Sequence, residues 1–367
     1  MTLKRPQNEA QYLPKGQDAP DYLSELKTRY ERVIEHFQGN AEAYFGASFS
    51  LKITPELIIR RPLSEVVKCA AFGKNKQLVI YMKFFRVDKC KDEGQAQVMH
   101  RIRNEVTVTK KLYGSFPENQ SNSVPRMIAF FPEEMSIVTE ECKGEQLLKQ
   151  IANSAKGYPG KKVMDELSAY CHLVGQWLKQ FQKTPAIDLN HKDTPPSLID
   201  YVDIRLKRLL AQARFKEQDR QDVLRYLEQQ LGQSSDEKKS LCPAHGDLSL
   251  SNILVKKNQV SVLDFAMYRM DTPYLDPSYF CHQLEDFLAA PFFRKKTISI
   301  LQKAFLDAYD PTFDSNAPIF LAYRVRHIIN RLTGLSEMKG LSLIKNRYQQ
   351  WQYKKYRSAL HRLIYES

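Results

Sequence analysis

The stretch His245-Gly246-Asp247-Leu248-Ser249-Leu250-Ser251-Asn252 sets a carboxylate and a side-chain amide five positions apart, and Asp264-Phe265 follows twelve positions after Asn252. Asp and Asn supply the hard oxygen atoms that Mg²⁺ prefers, and an aspartate beside a reacting hydroxyl can take its proton. Together these groups meet what phosphoryl transfer asks of a protein: a proton acceptor, and oxygen ligands for the ion that bridges the phosphates. Each also has a structural reading. Asp247 can stabilise a turn, Asn252 can cap a strand end and Asp264 can terminate a strand. The joint spacing, rather than any single residue, argues for chemistry.

The elements that must position these groups are legible in outline. NILVKKNQVSVLDF, beginning at Asn252, reads as two short strands joined by a Lys-Lys-Asn turn, and closing that hairpin brings Asn252 and Asp264 to one point. From about 57 to 87 the chain consists of β-rich runs, LIIRRP, EVVKCAAF and QLVIYMKFF, broken by the turn-like GKNK; this is the pattern of an antiparallel meander. Lys83 lies near the end of the last run. A charged amphipathic helix over 97–114, with Val98, Ile102, Val106 and Leu112 on one side, carries Glu105 and closes at Gly114. RMIAFF and SIVTEE, separated by Pro132, Glu133 and Glu134, add two strands. Beyond Gly144 the chain reads as helical, most clearly over 163–182, where Leu167, Tyr170, Val174, Leu178 and Phe181 form one stripe. Further helices are expected at 198–214, 220–231, 277–290, 294–309, 317–333 and 343–364, with a mobile loop at 234–240. Residues 1–50 are polar, with one amphipathic helix (Tyr22, Leu26, Tyr30, Val33, Phe37) that packs on a lobe or carries a partner contact. The expected organisation is an extension over 1–50, a sheet-rich lobe over 51–142 and a helical lobe over 143–367.

Composition narrows the class. With 367 residues, 43% hydrophobic and 11% aromatic, the chain buries a sizeable core and is not globally disordered. No window approaches ~20 consecutive apolar residues, and MTLKRPQNEAQYLPKG lacks the apolar segment of a secretory signal, so a soluble cytoplasmic protein without a transmembrane segment is expected. Six cysteines, at 69, 90, 142, 171, 242 and 281, show neither a CxxC pair nor zinc spacing and read as reduced core residues. The net charge of +13 suits nucleic acid, peripheral contact with an anionic membrane, or an acidic or phosphorylated substrate. No RRM, zinc-finger or homeodomain signature accompanies it, so no specific nucleic-acid partner is expected.

The Asp247, Asn252 and Asp264 pattern resembles the aminoglycoside phosphotransferase and choline kinase group, small-molecule kinases with the bilobal protein-kinase fold, over roughly 57–290. The resemblance implies an α+β chain: an antiparallel sheet with one helix as the N-terminal lobe and a mainly helical C-terminal lobe. It implies Asp247 as catalytic base and Asn252 and Asp264 as magnesium ligands. His245 would brace the loop. Lys83 would reach the α/β-phosphates of ATP with Glu105 as its partner. The backbone around Glu140, Glu141 and Cys142 would bind adenine, their side chains being solvated. Cofactors would be Mg²⁺ and ATP, with GTP as the alternative nucleotide.

Departures from the family pattern bear on the reading. The glycine-rich phosphate loop is absent, and Pro62, Leu63, Ser64 and Glu65 stand in its place; Ser64 is either an ordinary turn serine or a phosphate contact. Ala266 replaces the glycine expected after Asp264-Phe265, and Asp276-Pro277 follows at eleven positions from Phe265, too close for a long regulatory loop. Asp276 suits a helix N-cap with proline at the first helical position, with a second role in steadying the catalytic loop. Arg324, Arg326 and His327, in YRVRHIINR, are candidates to hold the acceptor, against the alternative of a solvated basic face. Finally, GQWLKQFQKTP (175–185) and VPRMIAFFPEEMSIVTEECKGEQL (124–147) are similar to kinase-like proteins associated with bacterial surface polysaccharide assembly, which implies a sugar or lipid-linked glycan acceptor. The competing readings are a catalytically silent kinase-fold scaffold and a kinase of the aminoglycoside or choline type.

Overall fold

Period-two apolar patterning between 52 and 85 folds into three nine-residue antiparallel strands, the centre of the first unit. The computed structural model describes residues 10–11, 21–45, 52–61, 63–72, 77–87, 94–116, 122–189, 197–233, 241–338 and 342–366. The GKNK turn, Pro62, Cys90, the 234–240 stretch and the first nine residues lie outside the described residues. The chain divides into two units: residues 1–143 with 263–267, and residues 144–262 with 268–367.

In the first unit the elements are β1 (Ala10–Gln11), α1 (Asp21–Gly39), α2 (Ala41–Phe45), β2 (Lys52–Arg60), β3 (Ser64–Phe72), β4 (Gln77–Phe85), α3 (Gln95–Ser115), β5 (Asn122–Ser123), β6 (Met127–Phe131) and β7 (Ser136–Glu140). Six strands form an antiparallel sheet in the order β1-β2-β3-β4-β7-β6. Leu26, Tyr30, Val33 and Phe37 of α1 join Ile58, Val67, Ile80, Met82, Phe84 and Val138 in one buried cluster. Burying each of those four α1 side chains contributes about 1.5–3 kcal/mol, so α1 is part of this unit's core rather than an appendage. Val98, Ile102 and Val106 of α3 form a second cluster with Phe85, Met127 and Ile137. Because side chains alternate along a strand, Ile80, Met82 and Phe84 turn toward the α1 cluster, while Lys83 and Phe85 turn toward α3. The helix over 97–114 thus appears as α3, one residue past Gly114, with Phe116 as its C-cap.

The second unit contains β8 (Glu145–Gln146), α4 (Leu147–Ser154), α5 (Lys161–Gln182), α6 (Leu198–Ala211), α7 (Glu217–Gly232), β9 (Cys242–Ala244), β10 (Ile253–Lys256), β11 (Gln259–Val262), β12 (Arg269–Asp271), α8 (Leu275–Glu285), α9 (Lys295–Tyr309), α10 (Pro318–Glu337) and α11 (Leu343–Tyr365). The β10–β11 hairpin forms as expected, with Lys257 at φ 49° in its turn. Helices α5 and α9 approach so closely at Gly175 that a Cβ there would lie 2.3 Å from the Phe305 carbonyl oxygen, which excludes any larger residue. Helices α6, α7, α10 and α11 enclose a separate apolar core around Leu206, Leu227, Ile329 and Leu360. The helix expected over 198–214 stops at Ala211, before Ala213 at φ 53°. The one expected over 277–290 starts earlier, at Leu275, and gives way to a 3₁₀ turn over Asp286–Ala289. Among the described residues no helix is long and apolar enough to cross a membrane.

Candidate active site

In the first unit the alternation of β4 delivers Lys83 to α3, where its Nζ donates to Glu105 Oε2 at 2.8 Å and lies 3.1 Å from Asp264 Oδ1. Asp264 precedes a 3₁₀ turn, Phe265–Met267, that packs on α3 with Phe265 fully buried. Its own backbone is left-handed, φ 72°, a strained conformation for a residue with a side chain. Burial pulls the Lys83 pKa down, but Asp264 and Glu105 outweigh it and hold the ammonium above its ordinary value. The same burial pushes the Glu105 carboxyl up to about 7, against the pull of Lys83. Arg61, which the sequence analysis left unassigned, also feels Asp264: burial lowers its pKa and the carboxylate opposes that. The result is a charged cluster in which carboxylates compete for one ammonium, a poised arrangement for phosphates and a cation.

In the second unit the 245–252 loop is held from several sides. Asp276 is fully buried and accepts the His245 N–H at 2.7 Å and the Gly246 N–H at 3.0 Å. Burial still pushes its carboxyl up to about 6, against those two donors. His245, buried against Trp177, accepts the Asp247 N–H on Nδ1 at 3.2 Å. The Asn252 amide nitrogen donates to both the carbonyl and the Oδ2 of Asp247, each at 3.1 Å, which leaves its amide oxygen as the atom able to face a cation. Gln146 and Leu148 add bonds to Ser251 and Leu250. The Asp247 carboxylate also accepts from the hydroxyl of Tyr279, a residue the sequence analysis missed although it lies three positions after Asp276 on the same helix. A half-exposed carboxylate fixed by an amide and a phenol is oriented to receive a proton from a nearby hydroxyl.

A sequence model of the APH family, described as the phosphotransferase enzyme family, matches residues 102–312, more than half of the chain. The chain belongs to this phosphotransferase family. Its fold is similar to that of a candidate aminoglycoside phosphotransferase from Ralstonia eutropha JMP134 (TM-score 0.60, 12% identity, covering 91% of this chain and 98% of that one). Ethanolamine kinase from Plasmodium vivax (0.57, 13%, 92% and 89%) and choline kinase from Cryptosporidium parvum Iowa II (0.54, 13%, 91% and 96%) share it as well. At such identities the likeness shows the kinase-like fold: an antiparallel sheet in the N-terminal part and helices in the C-terminal part. No curated protein matches the phosphotransferase by sequence.

Other expected residues of the phosphotransferase occupy different settings. Asp276 is not a helix N-cap, since α8 begins one residue before it with Tyr274 at the cap; its expected second role holds, because its carboxylate accepts from the backbone of the 245–252 loop. Proline at 277 is tolerated because first-turn N–H groups have no intrahelical acceptor. Ser64 is buried, and its carbonyl accepts the Arg61 N–H at 2.8 Å, so it closes the β2–β3 turn. The Glu141 N–H donates to Val79 within the sheet edge at 3.0 Å and is not available to adenine. Nor are the glutamate side chains merely solvated: Glu140 pairs with Arg126 and Glu141 with Lys68, while Cys142 is a half-buried thiol. On α10, the half-exposed Arg324 pairs with Glu285 at 2.9 Å, and His327 is buried in the core beside Ser278 Oγ, also at 2.9 Å. Arg326 lies on a different face of α10, against Tyr201.

Proposed function

We propose that the phosphotransferase moves the γ-phosphoryl group of ATP, with GTP as the alternative donor, to a hydroxyl of a sugar or glycan-related acceptor. The observation that carries the donor half is the Lys83–Glu105 contact at 2.8 Å with Asp264 at 3.1 Å, a largely buried ammonium that no apolar core requires. In this reading Lys83, held by Glu105, meets the α/β-phosphates, and Asp247 takes the acceptor proton as the new O–P bond forms and the bond to the departing ADP breaks. Asn252 and Asp264, both hard oxygen donors, would hold Mg²⁺, which would offset phosphate charge. Among the described residues no group of three or more His, Cys, Asp or Glu side chains forms a metal cluster.

The choice of a neutral or anionic acceptor over a cationic one rests on charge. A chain of net charge +13 repels aminoglycosides and choline at a distance, whereas glycan phosphates are attracted. The resemblance to proteins of surface polysaccharide assembly supports the same class. Thermal melting tests the donor half: a ligand bound only by the folded state stabilises it by about 2.7 kcal/mol at a hundredfold excess over Kd. MgATP or MgGTP at millimolar concentration is expected to raise the melting temperature; absence of any shift with either would return the chain to the silent-scaffold reading.

A further inference from the structure

Arg326 is 9% exposed, yet among the described residues its guanidinium donates no hydrogen bond and makes no ion pair. Its contacts are aromatic: the Tyr201 ring at 4.2 Å and the Tyr323 ring at 6.0 Å. Acceptors nearby are already engaged. Asn330 Oδ1, one turn further along α10, takes Arg205 Nε at 2.9 Å, and Arg205 stacks on the same Tyr201 ring at 3.3 Å. Asp271 takes Arg269 Nε at 2.7 Å, the Tyr323 hydroxyl at 2.6 Å and the Thr272 N–H at 2.8 Å. A buried guanidinium with no acceptor is costly, and two more guanidinium groups in the same neighbourhood add repulsion. Burial depresses its pKa and Arg269 acts in the same direction, while Tyr201, Tyr323 and the Asp271 carboxylate oppose them without reversing the shift. A packed fold keeps such a charge where a ligand supplies the missing acceptor.

The cluster also lies beside the proposed base. Tyr279, whose hydroxyl holds the Asp247 carboxylate, also feels the charge of Arg326, which pulls its pKa down against the effect of burial. We propose that Arg326, flanked by Arg205, Arg269, Tyr201 and Tyr323, is an oxyanion subsite that grips a phosphate or carboxylate on the same acceptor molecule whose hydroxyl is phosphorylated. This rests on the phosphotransferase reading above and narrows its acceptor to an anionic sugar. A planar guanidinium binds such a group through two parallel N–H donors, while tyrosine faces suit a sugar ring.

Melting of the full chain tests the subsite, with saturating MgADP so that the nucleotide site is occupied and with ionic strength matched by chloride. Inorganic phosphate is expected to raise the wild-type melting temperature saturably. In Arg326→Gln the apparent affinity for phosphate is expected to fall by about tenfold or more, the loss of a charge-assisted pair. In chloride alone Arg326→Gln is expected to melt at or above wild type, since an unpaired buried charge has been removed. Glucose 6-phosphate and glucuronate distinguish the two oxyanions: whichever gives a shift that glucose does not is the class recognised. The proposal is overturned by a wild type indifferent to phosphate, by an equal response in Arg326→Gln, by a variant that melts lower or does not fold, or by glucose matching both anions. Failure of MgADP itself to shift the melt would instead overturn the nucleotide reading and leave the phosphate arm readable.

Discussion

Lys83 is a largely buried cation and Arg326 a buried one, and their surroundings are opposite. Lys83 has two carboxylates within 3.1 Å, while Arg326 has two tyrosine rings and, among the described residues, no carboxylate partner. The first arrangement is satisfied without a ligand. The second is unsatisfied until something anionic binds. Removing the charge should therefore have opposite consequences for stability in the two units.

The largest effect is expected at Lys83. Lys83→Met leaves the buried Glu105 without its cation, at a cost of about 3 kcal/mol, the lower end of the range for a broken buried pair, while the partly exposed Asp264 beside it stays solvated and adds little. Urea unfolding measures this directly, and a neutral result would mean the carboxylates protonate or move apart, so that the contrast with Arg326 disappears. A smaller effect appears in pH dependence. His327 and His282 are buried, and both are held below their ordinary value of 6.5, by burial first and, for His327, by Arg326 next. The unfolded chain therefore takes up protons before the folded one as pH falls. Stability from these residues is full above about pH 6.5 and is lost below it, by up to about 1.4 kcal/mol per pH unit for each histidine. Asp276, raised from 3.8 to about 6, acts the other way and favours the folded state in acid, so the difference between wild type and His327→Gln isolates the histidine. The stability of wild type relative to His327→Gln is expected to fall from pH 7 toward pH 5; a flat difference would show that His327 accepts a proton in place.

How much of this was legible in the sequence depended on chain separation. Asp247, Asn252 and Asp264 fall within one short stretch, so spacing alone pointed to them. Lys83 and Glu105 were legible because strand alternation and helix periodicity each fix a direction, and the two directions meet. For Asp276 the loop-steadying role agrees with its bonds to His245 and Gly246, whereas the N-cap role fails because Asp-Pro suits either an N-cap followed by N1 or the first turn itself, and only the position of Leu275 separates these registers. Tyr201, Arg205 and Arg326 are brought together by α6 packing on α10, a long-range contact that no local pattern encodes. Arg324 and His327 were chosen with Arg326 by adjacency in sequence, but successive residues on a helix point in different directions, and only Arg326 faces Tyr201.

The central claim, that Asp264 serves the nucleotide and Asp247 the acceptor proton, is tested most directly by measuring MgATP affinity and turnover in Asp264→Asn and Asp247→Asn side by side. Loss of a general base typically lowers turnover by about 10²–10⁴-fold. The expected result is that Asp247→Asn shows this loss with MgATP affinity nearly unchanged, while Asp264→Asn weakens MgATP binding itself. Equal loss of nucleotide affinity in both variants, or full turnover in Asp247→Asn, would contradict the account.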